Sequence, residues 1–275
     1  MAQLSEQIGA VPPQAIHHEL RSAENSAAYL LPKLQKMRES NTELAILDVG
    51  AGSGTISATL AKLVPDGKVT ATDLNKDILQ RAQAVAGAAG VTNIEFKEAD
   101  AYKLPFADGS FDITHCHQVL AHLEAPWEVL REMLRVTKVG GVVAAREGDQ
   151  KTECFWPELP GLVKFHDFIT EFMTLAGGSP IAGRQLLPWA LKAGVERGKV
   201  TASYGTWHYS EPDEKRIWAD ALIERCNSGR VRTAGIQARL VTESDLDEMG
   251  KAWKEWSERD DASLGMMQGE ILLQK

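Results

Sequence analysis

Residues 44–55 read Leu-Ala-Ile-Leu-Asp-Val-Gly-Ala-Gly-Ser-Gly-Thr, and residues 56–64 continue as ISATLAKLV. A short apolar run closes on Asp48 and Val49. Three glycines follow at alternate positions, then an apolar helical pattern. This is the signature of a buried strand that passes through a glycine loop into a helix. Glycine at such a turn lets a ligand approach the backbone, and the helix start presents unpaired N–H groups to it.

The same alternation continues outward. KVTATD (68–73) predicts a second strand and 76–90 a helix stopped by Gly90. NIEFKEAD (93–100) and FDITHCH (111–117) predict two more strands. Residues 126–137 predict a helix opened by Pro126, and GVVAARE (141–147) a fifth strand. Strands alternating with helices over short loops predict an α/β fold, a doubly wound, mostly parallel sheet with helices on both faces. Ligands of such sheets bind outside the carboxyl ends of the strands.

Toward the amino terminus, residues 1–20 carry Gly9, Pro12 and Pro13 and read as irregular, with His17 and His18 as polar residues of a leader. Residues 22–37 have helical spacing at Ala27, Leu30, Leu31 and Leu34, and Pro32 is expected to kink or end part of that helix. Past residue 150 the character changes: every tryptophan but Trp127 lies there. Helices are expected at 161–177, 183–194 and within 211–260, with strands at 199–207 and 269–275. The expected organisation is an N-terminal helical lid over 1–40, a ligand-binding core over 41–150, and the rest of the sheet with a helical lid insertion over 151–275, all in one domain.

The chain has 275 residues, 44% hydrophobic and 25% charged, with a net charge of -8. An acidic surface argues against nucleic acid as partner. Cys116, Cys154 and Cys226 are far apart and have no disulfide or zinc spacing. No metal is expected, no apolar run is long enough to span a bilayer, and MAQLSEQIGAVPP lacks the pattern of a secretory signal. The expected location is cytoplasmic.

The loop spacing is G-x-G-x-G at Gly50, Gly52 and Gly54, not the G-x-G-x-x-G of dinucleotide sites. Asp48, two residues before the first glycine, would repel a pyrophosphate. It suits a ligand with an ammonium and a sulfonium, as S-adenosyl-L-methionine has, better than it suits NAD. Asp73, at the end of the second strand, is placed to accept from both ribose hydroxyls. Asp100, after the third strand, is placed to accept from an adenine amino group.

These segments, with VTATDLNKDIL, EADAYKLPFADGSFDITHCHQVLAHL and LREMLRVTKVGGVVAARE, resemble the class I S-adenosylmethionine-dependent methyltransferases of the UbiE/COQ5-like group. AENSAAYLLPKL and WPELPGL are similar to its fungal-type members. The likeness is motif-specific over 41–147 and looser elsewhere. It implies a Rossmann-like seven-stranded sheet with a final antiparallel strand. It also implies cofactor contacts from Asp48, Gly50, Gly52, Asp73, Asp100 and Ala101, with His117 and Gln118 facing the methionyl part. Ala51, Gly54, Thr55 and Leu74 lie in the same turns and complete the expected set. The stretch after residue 150 departs from the short ubiquinone-type enzymes, so the likeness carries the donor and not the acceptor.

Methyl transfer from a sulfonium is an in-line displacement that asks the protein chiefly to align the partners and exclude water. A base is needed only where the nucleophile must lose a proton. The candidates are His117, His122 and His208, of which His117 could equally act through backbone and shape. Arg146 and Glu147 are expected at the pocket mouth, on substrate or ordering a lid. Trp156, Trp207 and Tyr209 either line an apolar pocket for a small-molecule acceptor or pack lid helices, and Tyr29 is placed to fold over the cofactor. Two other readings compete: an NAD-dependent oxidoreductase, and a protein that binds the methyl donor without transferring methyl. Nothing in the sequence sets the oligomeric state.

Overall fold

The computed structural model describes residues 17–275. Most of the irregular leader and the start of the 1–40 segment therefore lie outside the described residues. A four-residue helix α1 (Ala23–Ser26) precedes α2 (Leu31–Ser40). Pro32 does not kink a continuous helix. It sits in the first turn of α2, where its missing N–H has no intrahelical partner to lose, and the break falls earlier, after Ser26.

The core then runs β1 (Ala45–Val49), α3 (Thr55–Leu63), β2 (Lys68–Asp73), α4 (Lys76–Ala88), β3 (Ile94–Glu98), β4 (Phe111–His117), α5 (Pro126–Val136) and β5 (Thr137–Gly148). These strands are parallel in the order β3-β2-β1-β4-β5. The order reverses at β1, which pairs β2 on one edge and β4 on the other, and the cleft over that reversal is where open sheets bind ligands. Alternation along the strands separates two apolar layers. Leu47, Val49 and Val143 face one layer with Leu130 and Met133 of α5. Ile46, Val69 and Ile113 face the other with Leu34 of α2 and Leu60 of α3.

The second half adds β6 (Cys154–Trp156), α6 (Pro160–Leu175), α7 (Ala182–Lys192), β7 (Val200–Tyr209), α8 (Pro212–Asn227), α9 (Gly229–Gln237), α10 (Glu243–Glu258) and β8 (Ser263–Gln274). β8 is antiparallel to both β5 and β7, which it separates. Among the described residues the sheet has eight strands, one more than the resemblance implies. The twelve-residue β8 extends beyond β5, and its overhang at Ser263–Gly265 pairs with the short β6. That pairing covers backbone groups an edge would otherwise expose.

Helices α6, α8 and α10 form a third apolar cluster away from the parallel strands, built around Phe165, Leu222, Trp253 and Trp256. Trp253 and Trp256 are fully buried, so these two tryptophans pack helices. Among the described residues no helix is long and apolar enough to cross a membrane.

Candidate active site

The turn after β1 holds Gly50, Gly52 and Gly54 at φ 69, 53 and 74°, a region L side chains rarely adopt. A Cβ on Gly50 would lie 2.4 Å from Val119 Cγ2, and one on Gly54 2.7 Å from Ala82 Cβ. A Cβ on Gly52 would meet nothing within 4 Å. The outer two glycines thus allow protein packing, and the middle one leaves room on the cleft side. Asp73 at the end of β2 fixes this turn: its carboxylate accepts from Gly52 N–H at 3.0 Å and Asn75 N–H at 2.9 Å.

Asp48 is almost fully buried. One carboxylate oxygen accepts from Ser57 Oγ of α3 at 2.5 Å, and the other lies 2.8 Å from His115 Nδ1 of β4. Its charge is spent tying β1 to α3 and β4, a more internal role than that of a lone countercharge for a ligand. Together these residues border a cavity of about 370 Å³ lined by Asp48, Gly50–Thr55 without Gly54, Ile56, Asp73, Asn75, Ile78, His117 and Gln118, and also by His18 and Arg21 from the N-terminal segment.

A second cavity, of about 450 Å³, adjoins it and shares His18, Arg21 and Gln118. Gln118 sits at φ 55° and bridges the halves: its side-chain carbonyl accepts from Arg21 at 3.1 Å and its amide donates to Gln268 at 3.2 Å. The walls of this cavity come from α6, α8 and β7, through Phe165, Phe172, Trp207, Trp218 and Leu222. His122 lines it from the turn after β4. Glu147, wholly buried, accepts from the N–H groups of Val119, Leu120 and Ala121 at 2.9, 2.7 and 3.2 Å and so sets that turn. Burial pushes its carboxyl up to about 7 against those three donors.

The histidines around the junction are held neutral. Burial first, then Arg21, His115 and Arg146, keeps His117 well below the usual histidine range, and neither of its ring nitrogens has a partner among the described residues. Burial, with Arg21 and Arg225, brings His18 down to about 2. His122 is lowered by surrounding protein and then by Arg225 and Arg21, although the residue is exposed. Cation and ring contacts bind these parts together: Trp207 has the Arg21 guanidinium 5.0 Å from its ring centre, that of Arg146 at 6.0 Å and the His117 ring at 5.9 Å.

The structure gathers some expected residues and not others. Trp207 and His122 line the larger cavity, and His117 the smaller. Leu74, Asp100 and Ala101 lie outside both linings, and Asp100 instead closes its own turn by accepting from Tyr102 N–H at 2.9 Å. Arg146 is buried beneath Trp207, donates to the Asn25 carbonyl of α1 at 2.7 Å and lies 3.4 Å from Glu270, so it holds the N-terminal segment down and does not face the cavity. Tyr29 is also packed away from both linings, and burial raises its hydroxyl. Trp156 is 59% exposed and donates to Asp261. His208 alternates outward on β7 between the inward Trp207 and Tyr209.

Sequence reasoning missed Arg21, His18, Ser57, His115 and Arg225. His17 and His18 are not free leader residues: His17 is buried, and His18 borders both cavities. A serine on the apolar face of 55–64 was one visible sign, since a buried hydroxyl needs a partner. Among the described residues no group of three or more His, Cys, Asp or Glu could hold a metal.

A family model described as a methyltransferase domain matches residues 40–172. An uncharacterized methyltransferase of Schizosaccharomyces pombe is 32% identical over 268 residues, which is 94% of this chain and 92% of that one. The ubiquinone/menaquinone biosynthesis C-methyltransferase UbiE of Ectopseudomonas mendocina is 35% identical over 135 residues, only 48% of this chain and 50% of its own length. A solved Bacillus halodurans protein, described as a putative methyltransferase, superposes with a TM-score of 0.53 at 21% identity, covering 88% of this chain and 96% of that one. The fold is therefore that of Rossmann-like methyltransferases, and the chain belongs to the methyltransferase family. The cofactor of this class is S-adenosyl-L-methionine, and the smaller cavity fits it. Gly52 leaves room beside the turn, and each Asp73 oxygen, bonded once, keeps a further lone pair for a ribose hydroxyl.

Proposed function

We propose that this protein transfers the methyl group of S-adenosyl-L-methionine to a small molecule held in the larger cavity. The observation that carries the reading is the junction: donor-sized and acceptor-sized cavities meet at His18, Arg21 and Gln118. A concave, largely apolar chamber of this size suits a small organic molecule, and the acidic chain disfavours nucleic acid. Three free thiols fit a reducing, cytoplasmic compartment.

On this reading, Asp73 holds the ribose, the turns bearing Leu74, Asp100 and Ala101 lie on the adenine side, and Gly50, Ala51, Gly52 and Thr55 shape the floor, with Gly54 behind them giving the turn its close packing against Ala82. His117 and Gln118 face the methionyl end, and Arg21 pairs with the donor's carboxylate. The bound donor supplies an electrophilic methyl on a positive sulfur. The chain then aligns the acceptor for in-line attack and keeps water out. Where the nucleophile carries a proton, neutral His122 accepts it. The N-terminal segment, pinned by Arg146 and by Arg21 over Trp207, acts as lid. UbiE/COQ5-like kinship covers the donor half, and the helices after residue 150 give the acceptor side its own specificity.

The test is label transfer from methyl-labelled donor into a fission-yeast metabolite extract, with protein and nucleic-acid fractions run beside it. Label in the small-molecule fraction, lost with Asp73→Ala, supports the proposal. Label only in macromolecules, or donor bound but left intact throughout, rejects it.

A further inference from the structure

The larger cavity carries charge that the transfer chemistry does not use. In a chain of net charge -8, its lining holds Arg21, Arg225 and Arg230 against one acidic residue, Glu153. Glu153 is already engaged, 3.5 Å from His166 Nδ1, and that contact raises the histidine. Arg21 borders both cavities and is taken up by the donor's own carboxylate in the reading above. Arg225 and Arg230 remain.

Arg225 projects from near the end of α8. Its Nη2 lies 3.3 Å from His17 Nε2, within hydrogen-bond reach. No carboxylate among the described residues forms an ion pair with Arg225 or Arg230. Glu224, next to Arg225 in sequence, lies against Ser228 Oγ instead. A guanidinium set into a largely apolar chamber is costly without a counterion, and burial lowers Arg225 accordingly. Phe165, Ile169, Phe172, Met173, Leu222 and Val231 give the chamber its apolar walls, and the uncharged polar groups of Gln118, His122 and Gln150 lie among them.

We infer that the methyl acceptor is an apolar carboxylic acid, its hydrocarbon or aromatic body against the α6 and α8 side chains and its carboxylate on Arg225, with Arg230 at the rim. A guanidinium matches a carboxylate through two parallel N–H donors. A phosphate would bring a second charge into walls that are mostly apolar. The inference rests on the larger cavity being the acceptor's, as proposed above.

The test uses the full chain saturated with S-adenosylhomocysteine, titrated by calorimetry with 1-naphthoate and with the uncharged, near-isosteric 1-naphthamide. The expected result is at least tenfold tighter binding of the acid. Arg225→Gln should erase that preference, Arg225→Lys keep part of it, and Arg230→Gln, an exposed position, reduce it a few-fold. Retained S-adenosylhomocysteine binding shows that each variant is folded. Should Arg225→Gln fail to fold, Arg225→Lys and Arg230→Gln carry the decision. Equal binding of acid and amide, no binding of the acid at millimolar concentration, or a preference untouched by the arginine variants overturns the inference. Failure of the wild type to bind S-adenosylhomocysteine overturns the methyltransferase reading itself, so the two failures are distinguishable.

Discussion

The two cavities share three residues but are built by different means. The smaller cavity, the proposed donor site, is made of turns at the carboxyl ends of β1, β2 and β4, where short-range backbone geometry places each group. Gly52, Asp73 and His117 occupy it because of where their strands stop. The larger cavity, the proposed acceptor site, is made of long side chains that converge from α6, β7, α8 and the segment at 17–21. A turn fixes one strand-end site closely, whereas a chamber of side chains depends on how distant helices pack. The first kind of site is shared across a large class of proteins, and the second gives a member its own substrate.

Substitutions can break this contrast. Gly50→Ala should be the most costly single change, because its Cβ would collide with Val119 at a positive φ. We expect a loss of about 3 kcal/mol in urea unfolding. Gly52→Ala meets open space, so it should lose only about 1 kcal/mol of stability from its backbone conformation while weakening donor binding strongly. Equal destabilisation by the two changes would show that the middle glycine does not face the ligand.

Acid should act on the junction. His18, His117 and His122 all titrate below the ordinary value in the folded chain, chiefly through burial. A depressed value means that the fold favours the neutral ring. The associated stability is present above pH of about 6.5 and is lost as pH falls below it, for His18 down toward about 2. The buried His117 then contributes a slope of up to about 1.4 kcal/mol per pH unit, the half-buried His18 less, and the exposed His122 least of all. Denaturant midpoints between pH 7.5 and 5 should fall, and His18→Asn should make that fall shallower. An unchanged slope would place His18 in solvent.

Within the acceptor half, Trp207→Ala should raise the acceptor KM tenfold or more, since Trp207 lines the chamber and backs Arg21. The smallest effects belong to Trp156→Ala and His208→Ala. Both side chains lie at the surface outside the linings, so stability should move by less than about 0.5 kcal/mol and KM should not change. A KM effect at either residue would mean that the chamber extends across β6 or β7.

The legibility of the sequence follows the same division. Glycine spacing and the alternation of elements are local patterns, and they located β1 to β5 and the glycine turn after β1. The sequence could not show that Asp48 is consumed by Ser57 and His115, because that depends on how α3 and β4 lie against β1. The same holds for Arg21 and Arg225, which are far apart in sequence and come together only when α8 folds back beside the N-terminal turn. Trp156 and Trp207 have equivalent composition signals, yet β6 leaves one exposed and β7 turns the other inward.

The most direct test of the account is calorimetric titration of S-adenosyl-L-methionine into the wild type and Asp73→Ala. Asp73 both accepts the Gly52 N–H and retains lone pairs for the ribose. Binding by the wild type, weakened at least tenfold in the variant, a change of about 1.4 kcal/mol or more, is the predicted result. Wild-type protein that does not bind the donor, or a variant that binds it equally well, would contradict the assignment of the donor cavity.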